Sequence, residues 1–108
     1  MTAADNLDRA VELIAREARP RRIILFGSAA RGEATPDSDL DLLVVEDEVP
    51  APRAETARLS LLLAEERIPA DVVVASEELF QAWKNLPGSV IYEANLEGRT
   101  VYLAPGTR

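Results

Sequence analysis

Residues 38–45 of this chain, SDLDLLVV, limit its fold more than any other stretch. Side chains on a β-strand alternate between two faces. Asp39 and Asp41 therefore share a face with Leu43 and Val45, and Leu40, Leu42 and Val44 form the other. One face is wholly apolar, and the second is polar only where the strand begins. Residues i and i+2 on a strand have Cα atoms roughly 6.5–7 Å apart and point the same way. Two carboxylates so placed either sit at the surface or gather around a cation.

What precedes this strand narrows the choice. Residues 23–26, IILF, read as a short buried strand from their β-branched content. Gly27-Ser28 breaks it, and ten residues then separate Ser28 from Asp39. A strand that ends in Gly-Ser and turns into a short helix presents backbone N–H groups on which a phosphate can sit. Gly27 permits close approach of the backbone, the Ser28 hydroxyl can donate to a phosphate oxygen, and Arg31 can hold further phosphates. Asp37 suits capping of the turn at Pro36-Asp37-Ser38 better than metal binding.

Alternating strands and helices make up the rest, which predicts an α/β layer structure. Residues 5–18 carry Leu7, Ala10, Val11, Ile14 and Ala18 at helical spacing. Thr2 or Asp5 is a candidate cap, and Pro20 ends the helix. Arg21 and Arg22 are expected to face solvent. After residue 45, Glu46-Asp47-Glu48 reads as a solvated loop. A helix is predicted over residues 53–66, with Ala54, Ala57, Leu61 and one of its flanking leucines facing inward. Residues 68–75, IPADVVVA, form another strand, with Asp71 and Val73 on one face and Ala70, Val72 and Val74 on the other. A charge among valines is an odd place for an idle carboxylate, and if this strand lies beside the first, Asp71 completes a triad with Asp39 and Asp41. Ser76 is the cap of a helix whose first turn carries Glu77 and Glu78. Ser89 caps a last helix running to Glu97, Gly98 suits its C′ position, and residues 100–103 close as a strand. Trp83, Tyr92 and Tyr102 are expected as core or interface anchors. The end of the chain, from about residue 103, is expected to fray.

Composition excludes several chemistries. The 108 residues suit a single domain, and hydrophobic residues at 47% suffice for a core. Cysteine and histidine are both missing, so a metal must be held by oxygen, which favours Mg²⁺, Mn²⁺ or Ca²⁺. A net charge of −7 argues against broad binding of DNA or RNA. No apolar run reaches the ~18 residues of a membrane span, and the N-terminus lacks the features of a secretory leader, so the chain is expected to be cytoplasmic.

The stretch FGSAARGEATPDSDLDLLVV resembles the minimal nucleotidyltransferase (MNT) family of the DNA polymerase β-type nucleotidyltransferase superfamily. PADVVVAS and LPGSVIYEANLEGRTVYL are similar to later parts of that family, so the resemblance covers nearly the whole chain. It implies a small mixed β-sheet flanked by helices. It implies Mg²⁺ (two ions, with Mn²⁺ as a substitute) on Asp39, Asp41 and Asp71, the same three acting in catalysis. It implies the ATP triphosphate on Gly27 and Ser28; Arg31, read above from the residues, and Ser38 are the further nucleotide-binding candidates. It also implies an antitoxin that transfers AMP to a tyrosine of a HEPN-type ribonuclease toxin. A domain this short leaves little room for an acceptor site, so the acceptor is expected on a partner protein, and a basic partner suits the acidic surface. The alternatives are an antitoxin acting by occlusion alone and a nucleotidyltransferase for small molecules.

Overall fold

The structure, a computed structural model, describes residues 3–33 and 39–107. Helix α1 (Ala3–Ala18) leads into strand β1 (Arg22–Phe26), which passes directly into the short helix α2 (Gly27–Ala30). Strand β2 (Leu40–Glu46), helix α3 (Pro52–Glu65) and strand β3 (Ala70–Ser76) form a crossover unit. Helices α4 (Glu77–Trp83) and α5 (Val90–Glu97) then precede strand β4 (Arg99–Leu103). The four strands form one mixed sheet in the order β3-β2-β1-β4. β1 is antiparallel to β2 and β4, and β2 runs parallel to β3. Thr2 and Asp37, named above as candidate caps, lie outside the described residues, and Asp5 sits in the first turn of α1.

Helices cover both faces of the sheet. Leu40, Leu42 and Val44 of β2 pack with Ile23 and Leu25 of β1 against Leu13 and Ile14 of α1 and Leu59 and Leu63 of α3. On the opposite face, Leu43, Val45 and Ile24 meet Phe80 of α4 and Ile91 and Ala94 of α5. β2 is thus apolar on both sides because both sides are core. Fully burying each such side chain contributes about 1.5–3 kcal/mol, so the register of β2 is strongly held. The alternation predicted for 38–45 places Asp41 on the α4/α5 face of the sheet, at the strand's first end.

Several local signals act as their chemistry suggests. Ser76 Oγ accepts the Leu79 N–H at 3.1 Å, and Ser89 Oγ accepts the Tyr92 N–H at 2.9 Å. These caps satisfy amides that have no partner within the helix. α1 ends as expected at Ala18; Arg19 follows in the left-handed region at φ 47, and then Pro20.

Other expectations are corrected by packing. In α3 the inward residues are Leu59 and Leu63, and Leu61 is 60% exposed. The run LSLLL offers a leucine to more than one helical phase, and contact with β3 and α1 selects the phase. Glu46 is not in a solvated loop. It ends β2 and is buried. Arg22 is nearly buried: its Nη2 donates to Glu77 Oε1 at 2.8 Å, and its guanidinium lies 4.8 Å from the centre of the Phe80 ring. Gly98 has extended backbone at φ −80, so no left-handed C′ conformation is involved. Its lack of a side chain serves contact, because a Cβ would stand 2.2 Å from the Ala94 carbonyl oxygen and 2.5 Å from Ile24 Cγ2. At the other end of the molecule the pairing runs past Leu103, where fraying is expected, and the Ala104 N–H donates to the Arg21 carbonyl at 2.9 Å.

Candidate active site

Three adjacent strands meet at the site. Phe26 of β1 is the register partner of Asp41 on β2, and Asp41 is the register partner of Asp71 on β3. Parallel partners in neighbouring strands lie about 4.8 Å apart and point to the same face. Residues 30 apart in sequence thereby become neighbours, as β2 and β3 pair side by side. Asp39 lies just ahead of β2 and is exposed. Asp71 is exposed and Asp41 half-buried.

Gly27 follows Phe26 and turns the chain over Asp41. It has φ +71, a left-handed conformation that favours glycine. A Cβ at this position would stand 2.3 Å from Asp41 Oδ2. The turn then winds into α2, where the Arg31 N–H donates to the Gly27 carbonyl at 3.3 Å and the Glu33 N–H to the Ser28 carbonyl at 2.9 Å. Ala29 and Ala30 pack against the core beneath the sheet. The Gly-Ser turn is held over the carboxylates by backbone bonds and by core contacts.

The electrostatics follow from this crowding. The Asp41 carboxyl is raised above its ordinary range, first by burial, then by the charges of Asp71 and Asp39, and Arg31 opposes the rise. Asp41 thus feels both other aspartates and the arginine. Among the described residues no three acidic side chains are drawn close enough to hold a metal ion. Adjacent carboxylates without a cation between them repel. The donor set nevertheless fits a hard divalent ion: oxygen ligands only, with mutual repulsion that a cation relieves. Ser38 lies outside the described residues.

Glu97 was not legible as a site residue. Its carboxylate Oε2 stands 3.5 Å from Arg31 Nη1, although 66 positions separate the two. A glutamate at the end of a short helix carries no signal of its partner. An open cleft lined by Arg21, Glu46, Asp47 and Glu77 lies toward the far end of β2 and includes none of Asp39, Asp41 and Asp71.

The fold places the chain in a class. It resembles the crystal structure of a "putative nucleotidyltransferase" from Sulfolobus solfataricus, with a TM-score of 0.61 at 19% identity, covering 99% of this chain and 92% of that one. It also resembles a structure described as a toxin-antitoxin with AMP-PNP, with a TM-score of 0.57 at 19% identity, covering 94% of this chain and 73% of that one. The mixed sheet with flanking helices is thus a nucleotidyltransferase fold. Residues 7–95 match the nucleotidyltransferase domain family, and the chain belongs to that family. A "putative protein adenylyltransferase" of Methanocaldococcus jannaschii is 39% identical over 84 residues, 78% of this chain and 80% of that protein. The family in general takes a nucleoside triphosphate and a divalent metal. Among the described residues no helix is long and apolar enough to cross a membrane.

Proposed function

We propose that this protein transfers AMP from ATP to a tyrosine hydroxyl of a partner protein, a HEPN-type ribonuclease toxin that it neutralises as an antitoxin. One observation carries the catalytic part: Gly27 packs against Asp41, and Asp41 is paired in register with Asp71. Asp39, Asp41 and Asp71 would hold Mg²⁺, one ion or two. Bound there, the metal would neutralise phosphate charge and polarise the α-phosphate. The protein side chains do the rest. The Gly27-Ser28 turn and Arg31 hold the triphosphate, with Ser38 as a further candidate. The Asp71 carboxylate accepts the proton of the acceptor hydroxyl. The hydroxyl oxygen forms a bond to the α-phosphorus, the bond from that phosphorus to the bridging oxygen breaks, and pyrophosphate leaves. Positioning and charge neutralisation supply the acceleration.

The Methanocaldococcus relative, named for protein adenylylation, supports a protein acceptor. The neighbour described as a toxin-antitoxin with AMP-PNP supports a toxin partner and an adenine nucleotide. A net charge of −7 suits a basic partner surface. The test is to incubate the protein and its partner with ATP and Mg²⁺ and weigh the partner intact. A gain of about 329 Da per transferred AMP is expected from the chemistry of the group. A partner that is neutralised but unmodified would favour occlusion. Transfer to a small acceptor with no partner present would favour a small-molecule enzyme.

A further inference from the structure

Arg31 is held by two carboxylates outside the aspartate site. Its Nε donates to Glu33 Oε2 at 3.2 Å, and its Nη1 stands 3.5 Å from Glu97 Oε2. The two anchors differ in kind. Glu33 lies in the same turn as Arg31, two residues on, whereas Glu97 ends α5 on a separate part of the chain. Glu97 is fixed from both sides. Before it, Ala94 of α5 is buried in the second core. After it, the Gly98 N–H donates to the Ala94 carbonyl at 2.9 Å, and Gly98 lies so close to β1 that a Cβ would meet Ile24 and the Leu25 carbonyl. Arg99 then pairs with Leu25, one residue before Phe26 and two before Gly27. The end of α5 is thereby clamped to the strand that carries the glycine turn, and Glu97 reaches from this clamp to Arg31.

We propose that Glu97 is a positioning residue for nucleotide binding, which holds the Arg31 guanidinium ready for the phosphates. An arginine on an exposed turn loses much rotamer freedom when it engages a phosphate, and a preformed ion pair removes part of that cost in advance. The guanidinium has five N–H donors, so it can keep one carboxylate and still present donors to a phosphate. This inference rests on the nucleotide reading given above.

Binding of AMP-PNP with Mg²⁺, measured by calorimetry on the full chain, provides the test. Both partners are about half exposed, at 45% and 46%. Replacement Glu97→Gln is therefore expected to weaken binding roughly two- to fivefold at low salt, with the difference shrinking as ionic strength rises. Glu97→Asp, which keeps the charge on a shorter stem, should recover part of the loss. In an Arg31→Gln background, Glu97→Gln should add nothing, because Glu97 acts through Arg31. Wild-type affinity in Glu97→Gln, tighter binding, or an equal loss with and without Arg31 would each overturn the inference. Should Glu97→Gln lower the melting temperature, the comparison between Arg31→Gln and the double variant still reads the coupling. Nucleotide binding by the wild type with no change in Glu97→Gln removes this inference alone. A wild-type chain that binds no nucleotide removes the nucleotide reading and this inference together.

Discussion

Gly27 stands so close to Asp41 that the glycine hydrogen occupies the space a side chain would need, with an ideal Cβ falling 2.3 Å from the carboxylate oxygen. The strand turn and the acidic strand are therefore fitted to one another at this residue. Alanine at position 27 would meet two penalties, the left-handed φ of +71 and the clash with Asp41. Gly27→Ala should lower stability by about 1–2 kcal/mol or more. Nucleotide transfer should fall further than stability, because either the turn or the Asp41 carboxylate must leave its place in the site. Denaturant unfolding and a transfer assay, run side by side, separate the two effects.

Asp41 is crowded by Asp71 and Asp39, and its carboxyl is raised by burial and by their charge. Charge at this site thus opposes folding when no cation is present. Asp41→Asn should leave the metal-free protein as stable as the wild type or somewhat more stable, by up to about 1 kcal/mol. Transfer should fall by several orders of magnitude. Thermal melts in the presence of a chelator and of Mg²⁺ check this: Mg²⁺ with nucleotide should raise the wild-type melting temperature and leave the variant unmoved. Retained activity in a double Asp39→Asn, Asp41→Asn variant would remove the site from the mechanism.

Glu46, at the other end of β2, gives a pH dependence of its own. Its carboxyl is pushed up from the ordinary 4.5 to about 8 by burial, by a hydrogen bond to Glu55 and by the Glu55 charge, with Arg58 opposing. Glu55 moves the other way, chiefly because Arg58 donates to it from Nε at 2.7 Å and from Nη2 at 2.9 Å. The pair thus shares a proton, with Glu46 holding it. Between pH 4.5 and 8 the folded state binds this proton more tightly than the unfolded state does. Stability from Glu46 therefore falls as pH rises through that window, by about 1–3 kcal/mol. The opposing loss from Glu55 is confined to acid, below its unfolded value. Glu46→Gln, which keeps a neutral hydrogen-bonding group, should flatten the stability profile toward pH 8. Chemical unfolding at a series of pH values reads the slope directly.

Gly98 closes α5 against β1, and a Cβ there would lie 2.2 Å from the Ala94 carbonyl oxygen and 3.0 Å from that of Leu25. Those atoms are backbone and cannot swing aside. Gly98→Ala should cost about 2 kcal/mol or more despite an extended φ that any residue adopts. Gly106, where nothing lies within 4 Å, should tolerate a side chain except for its φ of +84. The contrast between the two substitutions, read as shifts in melting temperature, separates close packing from backbone conformation.

What the sequence determined by itself was local. Period-two alternation in residues 38–45 settles which face carries Asp41, because neighbouring strand residues have no choice of side. Ser76 and Ser89 declare their helices because a hydroxyl accepts a backbone amide three residues on, whatever lies around it. The Gly-Ser turn ahead of Asp-x-Asp states its chemistry through residue types that few other arrangements combine. The tertiary structure decided everything that joins distant segments. It placed Asp71 beside Asp41 by pairing β3 in parallel with β2, and it set α3 on Leu59 and Leu63, where the leucine run alone allowed other phases. It buried Glu46 and Arg22, whose partners Glu55 and Glu77 lie 9 and 55 residues away. It also brought Glu97 to Arg31 through the closure of α5 on β1. Hydrogen bonding and alternation act over a few residues and are written in sequence. Ion pairs and core contacts depend on distances in space, which only the packed sheet and its helices fix.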